Sequence, residues 1–261
     1  MNIGDNPNPS RKRAANQSPE RKRAGPIPGS SASMNPAPAR PVPGESAPRR
    51  MLISAGPTHE PIDAVRYIAN RSRGRMGVAL AEAARDAGWS VTLLLGQVAL
   101  EPPAGVRTVS FHSTADLAGL LEEHFATCDV LIMAAAVADY RPRDRRPGKL
   151  PRGDGPLTIE LEPTPDLVAA CAARKRAGQL IIGFALEEPA AVQARAPQKL
   201  RDKGLDAIVA NPLSTMGAQD VAATLFTAGG ETIPAPGSQP GERGTAKSGF
   251  ARWLIEWVDA R

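Results

Sequence analysis

Aromatic residues are scarce: five Phe, three Trp and two Tyr make up 4% of 261 residues. The core must therefore be packed by aliphatic side chains, which the 42% hydrophobic content can supply. There are two cysteines, Cys128 and Cys171, each inside an apolar stretch. That excludes a disulfide scaffold and fits a reducing compartment. Three scattered histidines, His59, His112 and His124, offer no metal-ligand spacing with so few cysteines. No apolar run approaches the roughly 20 residues of a membrane span. The N-terminus lacks an apolar stretch like that of a signal peptide, so a cytoplasmic location and no membrane partner are expected. Nucleotide fingerprints are missing as well. No G-x-G-x-x-G follows the first apolar segment, and the second, ending "LLLGQV", carries no acid to hold a ribose. Tyr140 is followed four residues later by Asp144, so there is no Tyr-x-x-x-Lys pair. No G-x-x-x-x-G-K-[ST] occurs. These absences oppose a nicotinamide-dependent reductase and a P-loop enzyme, and no NAD(P) is expected.

Charge is unevenly placed. Residues 1–50 carry nine Lys/Arg against three Asp/Glu, a net of +6, whereas the whole chain is +5. The remainder is thus about −1 and gives no sign of a nucleic-acid partner. The same 50 residues hold ten of the 26 prolines and the repeated tetrapeptide "RKRA" at 11–14 and 21–24. So little apolar surface cannot offset the entropy of ordering, and residues 1–50 are expected to form a disordered basic tail ahead of a folded body at 51–261.

In the body, apolar runs alternate with helical periodicities. Strands are predicted at 51–56, 90–96, 106–111, 129–137, 157–162, 179–187 and 205–212. Helices are predicted at 75–88, 114–125 (Thr114 as N-cap), 164–175 (Thr164 as N-cap), near 190–203, and at 246–261. The stretch 138–156, rich in Pro and Gly, reads as loop, and 222–236 as a hairpin turning at Gly229-Gly230. The pattern specifies an α/β fold: a doubly wound, mostly parallel, Rossmann-like sheet with a C-terminal β-hairpin extension.

Ligands of such sheets bind beyond the carboxyl ends of the strands. Those positions hold "GPTHEPID", "ADYRPRDRRPGK", "ALEE" and "NP", with the Gly, Asn, Asp and Lys that a phosphate-rich ligand needs. Together with "SAGPTHEPIDAVRYIANRSRGRMG", "AAAVADYRP", "PDLV", "GFALE" and "QKLRDKGLDAIVAN", these blocks span roughly residues 51–258. The chain resembles the bacterial phosphopantothenoylcysteine synthetase family of coenzyme A biosynthesis. Members are often fused behind a flavin-dependent decarboxylase; here the tail stands in that place, so a free-standing synthetase without flavin is expected, with any decarboxylase on a separate chain.

The resemblance implies a ligase that joins 4′-phosphopantothenate to L-cysteine with CTP, or ATP in its stead, and Mg²⁺ (or Mn²⁺), through an acyl-nucleotidylate. It implies a homodimer; the hairpin, which would otherwise leave a bare strand edge, points the same way. Asn70 would orient the acyl intermediate, and Lys149 would stabilise it. Gly56, Ser72, Gly74 and Gly77 would contact phosphopantothenate. Ala135, Asp139, Pro165, Asp166, Leu167, Val168, Phe184, Lys199 and Lys203 would contact the nucleotide, Asp139 serving also as metal ligand. Two positions depart from the family pattern: the lid reads Lys149-Leu150-Pro151-Arg152 in place of Lys-x-Lys-Lys, and Thr164 replaces an Asn. A non-catalytic nucleotide-binding homologue is the alternative that these departures keep open.

Overall fold

Four successive apolar residues, Val130 to Met133, leave no polar face for water, so a strand made of them belongs in the middle of a sheet covered on both sides. The computed structural model, which describes residues 48–261 apart from 216 and 240, places them there. Six strands, β1 (Arg50–Ala55), β2 (Ser90–Leu95), β3 (Arg107–Ser110), β4 (Val130–Met133), β5 (Leu180–Glu187) and β6 (Ala207–Pro212), pair in parallel. Strands β7 (Thr224–Thr227) and β8 (Thr232–Pro234) extend the sheet antiparallel as the expected hairpin. The order is β8-β7-β6-β5-β4-β1-β2-β3. Chain direction along the sheet reverses between β1 and β4, the switch point where such folds open a crevice.

Alternation along β1 divides the core in two. Met51, Ile53 and Ala55 face helices α1 (Arg75–Asp86) and α5 (Lys247–Asp259), whereas Leu52 faces α2 (Thr114–Phe125), α3 (Leu167–Ala172) and α4 (Val192–Asp202). Ser54, fully buried, donates its hydroxyl to Met133 Sδ at 3.1 Å. The small residues of α1 let it lie close on the sheet: a Cβ added to Gly77 would come within 2.3 Å of Ala55 Cβ. Both cysteines are free and buried. Burial pushes the Cys128 thiol up to about 12 and raises that of Cys171 as well. The native protein is expected to resist a thiol reagent at mildly alkaline pH and to react at both positions once unfolded. Rapid labelling of the native chain would contradict that burial.

Several expectations need correction. The tail expected at 1–50 lies outside the described residues up to 47, and Arg50 already belongs to β1, its N–H donating to the Asp129 carboxylate at 2.7 Å. Thr114 is not the cap of α2. Ser113 is, in a reciprocal capping box with Asp116, and the Thr114 hydroxyl instead bonds buried Glu60 at 2.7 Å. Helix α3 is half its expected length and starts from Asp166, whose carboxylate accepts from Ala169 N at 3.1 Å, while Thr164 spends its hydroxyl on the Ala138 carbonyl. The expected loop 138–156 contains a strand, Tyr140–Pro142, paired with Leu161–Pro163; the strand predicted at 157–162 therefore forms only at its end. A second ribbon, His59–Pro61 with Tyr67–Ala69, forms where loop was expected. Its turn exists because Asp63 accepts the N–H groups of Val65 and Arg66 at 2.8 and 2.7 Å. Among the described residues, no helix is long and apolar enough to cross a membrane.

Candidate functional site

At the switch point the chain leaves β4 irregularly, and this irregularity builds the site. Residues 134–138 are laced to β1 and the loop after it. Ala135 N donates to Ser54 Oγ at 3.2 Å, Ala136 N to the Gly56 carbonyl at 2.9 Å and Ala138 N to Thr58 Oγ1 at 3.0 Å. Their outer surface floors a cavity of about 850 Å³. One wall is the segment from Ala69 into the first turn of α1; the other comes from 164–168 and the end of β5, with Lys199 of α4 and Lys203 at its C-cap.

Most of the expected residues meet here. Asn70, Ser72, Gly74 and Gly77 line one wall, Ala135 and Asp139 the floor, and Pro165 to Val168 with Phe184 the other wall. The Asn70 side-chain amide donates to the carbonyls of Val137 (3.0 Å) and Ala136 (3.3 Å), tying wall to floor. Gly74 begins α1 in the left-handed region at φ +72. The Ser72 hydroxyl accepts from Gly74 N at 3.3 Å, but no side chain caps the helix and no acid stands in its first turn. The N–H groups and positive dipole end of α1 thus remain for an anion. Phe184 presents one edge to the ring of Phe250, centroids 6.5 Å apart, and lines the cavity with the rest.

Two expected contact residues do not line the cavity. Gly56 is buried behind the floor, where φ +84 and the close approach of Gly96 N leave no room for a side chain; it supports Ala136 rather than meeting a ligand. Lys149 is exposed, because the backbone on either side of it is bound to the turn at 62–66 rather than to the cavity. Lys199 and Lys203 do line it, but each already has a carboxylate: Lys199 Nζ lies 2.6 Å from buried Glu187, and Lys203 Nζ 2.9 Å from Asp166.

The sequence reading assigned no role to Arg71, Arg73, Arg75, Lys247 or Asn211, all of which line the cavity. Among the described residues, Arg71, Arg73, Arg75 and Lys247 form no ion pair, and all four line the cavity. Burial, then the neighbouring Arg75, lowers the pKa of Lys247, whose ammonium bonds the Ala218 carbonyl. Asn211 also lines the cavity and has a buried amide oxygen without a partner. "ANRSRGR" advertised the arginines as a motif, but nothing near Lys247 marked it, since it arrives from the far end of the chain on α5. Beside the site, Asp63 is buried, and the Arg66 guanidinium holds its carboxyl well below the usual carboxylate range. A depressed folded pKa stabilises above the unfolded value, about 4, and the contribution fades as pH falls toward the folded one. Asp63→Asn is therefore expected to be less stable than the parent at neutral pH, with the gap in urea unfolding closing in acid. A gap independent of pH would contradict the pairing.

Residues 46–258 match the family described as DNA/pantothenate metabolism flavoprotein C-terminal domain. Among curated proteins, a "Cysteine/Cysteine sulfinic acid decarboxylase" of an unknown prokaryotic organism is 46% identical over 171 residues, 65% of this chain and 47% of that one. The "Coenzyme A biosynthesis bifunctional protein CoaBC" of Mycobacterium bovis is 44% identical over 180 residues, 65% of this chain and 43% of that one. The chain thus spans about half the length of these relatives. A crystal structure of the C-terminal domain of CoaBC superposes with a TM-score of 0.68 at 37% identity, covering 81% of this chain and 94% of that one. The match over 46–258, with the likeness to the CoaBC C-terminal domain, places this chain in the DNA/pantothenate metabolism flavoprotein C-terminal domain family.

Proposed function

We propose that this domain is a ligase that joins 4′-phosphopantothenate to L-cysteine at the expense of CTP. The observation that carries the reading is the convergence of Asn70, Asp139, the 165–168 segment and Phe184 on one cavity rimmed by unpaired cations. The kinship with CoaBC proteins supports the substrate class. A carboxylate is a poor acyl donor until one of its oxygens becomes part of a phosphate leaving group. In the first half-reaction the carboxylate oxygen attacks the α-phosphorus and pyrophosphate leaves. In the second, the cysteine amine attacks the acyl carbon, loses a proton, and the nucleoside monophosphate departs with the bonding electrons. The chain's part is to hold two anions in line and to neutralise charge. The open α1 N-terminus and the arginines around it suit the phosphates, and Phe184 suits a base. Among the described residues no cluster of three or more His, Cys, Asp or Glu could cage a metal. Asp139 alone on the floor fits Mg²⁺ or Mn²⁺ of the kind that uses one carboxylate plus phosphate oxygens, a cation that would draw charge from the phosphates.

The test is pyrophosphate release by the pure chain. It should require phosphopantothenate and CTP, with product formation requiring cysteine; ATP in place of CTP reads base choice. No release with either nucleotide would favour a non-catalytic binding role. A homodimer in the cytoplasm belongs to the same reading, but its support has moved. Strand β8 is only three residues long and ends in Pro234, which itself protects an edge. Of the six large apolar side chains exposed among the described residues, Leu186 belongs to the cavity, and the other five gather on the two ribbons and their loops: Val65, Tyr67, Tyr140, Leu157 and Leu161. Sedimentation showing a monomer at micromolar concentration would refuse the dimer.

A further inference from the structure

The segment that carries Lys149 is not loose. The Arg146 N–H donates to the Ile62 carbonyl at 3.0 Å, and the Ala64 N–H to the Gly148 carbonyl at 3.1 Å. Leu150 N donates to Asp63 Oδ2 at 3.0 Å, and Arg66 Nη2 to the Leu150 carbonyl at 2.8 Å. These bonds bracket Lys149 on both sides. One of them ends on Asp63 itself and the other three on its neighbours Ile62, Ala64 and Arg66; the buried Asp63 carboxylate shapes that turn, accepting also from Val65 N, Arg66 N and the Arg66 guanidinium. The turn so formed leads through Tyr67–Ala69 directly to Asn70 in the cavity wall. One carboxylate therefore ties the strand that presents Asn70 to the loop that presents Lys149. Pro151 holds Leu150 to extended backbone just beyond the last of these bonds.

We propose that Asp63, clasped by Arg66, is a positioning residue for Lys149: its carboxylate fixes the backbone at Leu150 directly and, through the 62–66 turn that it shapes, at Gly148, so that only the side chain of Lys149 has to move to reach a phosphate. This rests on the ligase reading for Lys149, while the clasp itself stands on geometry. It also explains how a lid with Leu150-Pro151-Arg152 in place of further lysines can serve. Fewer charges are available to draw the loop in, and hydrogen bonds to Asp63 and to the turn it shapes hold it in place beforehand. A lysine delivered from a fixed base gives up less entropy in the transition state than one on a free loop.

Two measurements on the whole chain separate the clasp from the chemistry. Trypsin can cut after Lys149. In native protein, Asp63→Asn should raise the rate of cleavage at Lys149–Leu150 severalfold, with no comparable rise at other sites. In turnover, Asp63→Asn should lower kcat on the order of tenfold to a hundredfold with little change in KM for the nucleotide. Added to Lys149→Gln it should cost almost nothing further, because its effect runs through Lys149. Arg66→Lys, which keeps the charge but loses the forked contact, serves as a second variant should Asp63→Asn fail to fold, with the same direction of effect. Unchanged cleavage at Lys149 overturns the clasp. Increased cleavage with parental kcat, or losses from Asp63→Asn and Lys149→Gln that simply multiply, overturns the positioning role. If the parent itself turns nothing over, the ligase reading falls, and the cleavage rates still judge the clasp.

Discussion

Lys149→Gln and Asn70→Asp are expected to stop the reaction at different points. Lys149 is exposed, long and positive, and can follow the charge that builds on the phosphate as the anhydride forms. Removing that charge should cost on the order of a hundredfold or more in kcat, as for other lost electrostatic stabilisers. Little acyl-nucleotidylate should then accumulate. Asn70→Asp does something else. Its amide now donates to the carbonyls of Val137 and Ala136, so a carboxylate in its place faces two carbonyl oxygens and any bound phosphate. The wall should part from the floor just where the acyl group must be presented to the amine. This variant is expected to form intermediate yet release little product. Mass spectrometry of enzyme, phosphopantothenate and CTP without cysteine distinguishes the two, and melting curves check that both fold. Parental rates in both would sink the roles assigned to these side chains.

Gly77→Val should damage fold and site together. The added Cβ would lie 2.3 Å from Ala55 Cβ and 3.1 Å from Ala55 Cα, so a rigid strand and a helix must separate. Overpacking of this kind costs about 1–3 kcal/mol, sometimes more. The displaced part is the first turn of α1, which lines the cavity, so nucleotide affinity should fall along with the melting temperature. Gly119→Ala is the matched control: it lies inside α2, nothing stands within 4 Å of its added Cβ, and helix propensity predicts a gain of up to about 1 kcal/mol. A Gly77→Val protein that melts with the parent and binds CTP as well would refute the packing argument.

How far could the chain be read without coordinates? Strands β1, β2 and β5 were legible because each is an apolar run closed by a turn residue, and α1 because its small residues recur at helical spacing. The parallel order followed from alternation. The two ribbons were not legible, since "THEPID" and "ADYRP" have too few β-formers to pair by propensity. The first exists because Glu60 and Asp63 are buried with partners, Thr114 and Leu150, more than fifty positions away, and the second is joined across its strands by Arg141, which donates to Glu162 at 2.8 Å. Caps were misplaced by one or two residues where two candidate oxygens stood close together, Ser113 beside Thr114 and Thr164 beside Asp166. Motif likeness pointed to Asn70, Asp139 and Phe184, which meet in the cavity, and Lys247 was lost because its neighbourhood is made by tertiary packing alone. Lys199 and Lys203 do line the cavity, but their counter-ions, Glu187 and Asp166, were not foreseen.

The scarcity of rings has an optical consequence. All three tryptophans belong to one layer: Trp89 is buried with α1, and Trp253 and Trp257 pack on the same core from α5. Arg49 lies over Trp89 and Arg261 over Trp257, 4.3 and 3.7 Å from the ring centroids, so these two emitters face the amino ends of the strands, away from the cavity. Only Trp253 has a line of contact to the site, through Phe250 at 5.4 Å and then the edge of Phe184. Emission from this chain is therefore a gauge of whether the α1–α5 layer is intact, and it senses an occupant of the cavity at second hand, by ring pressing on ring.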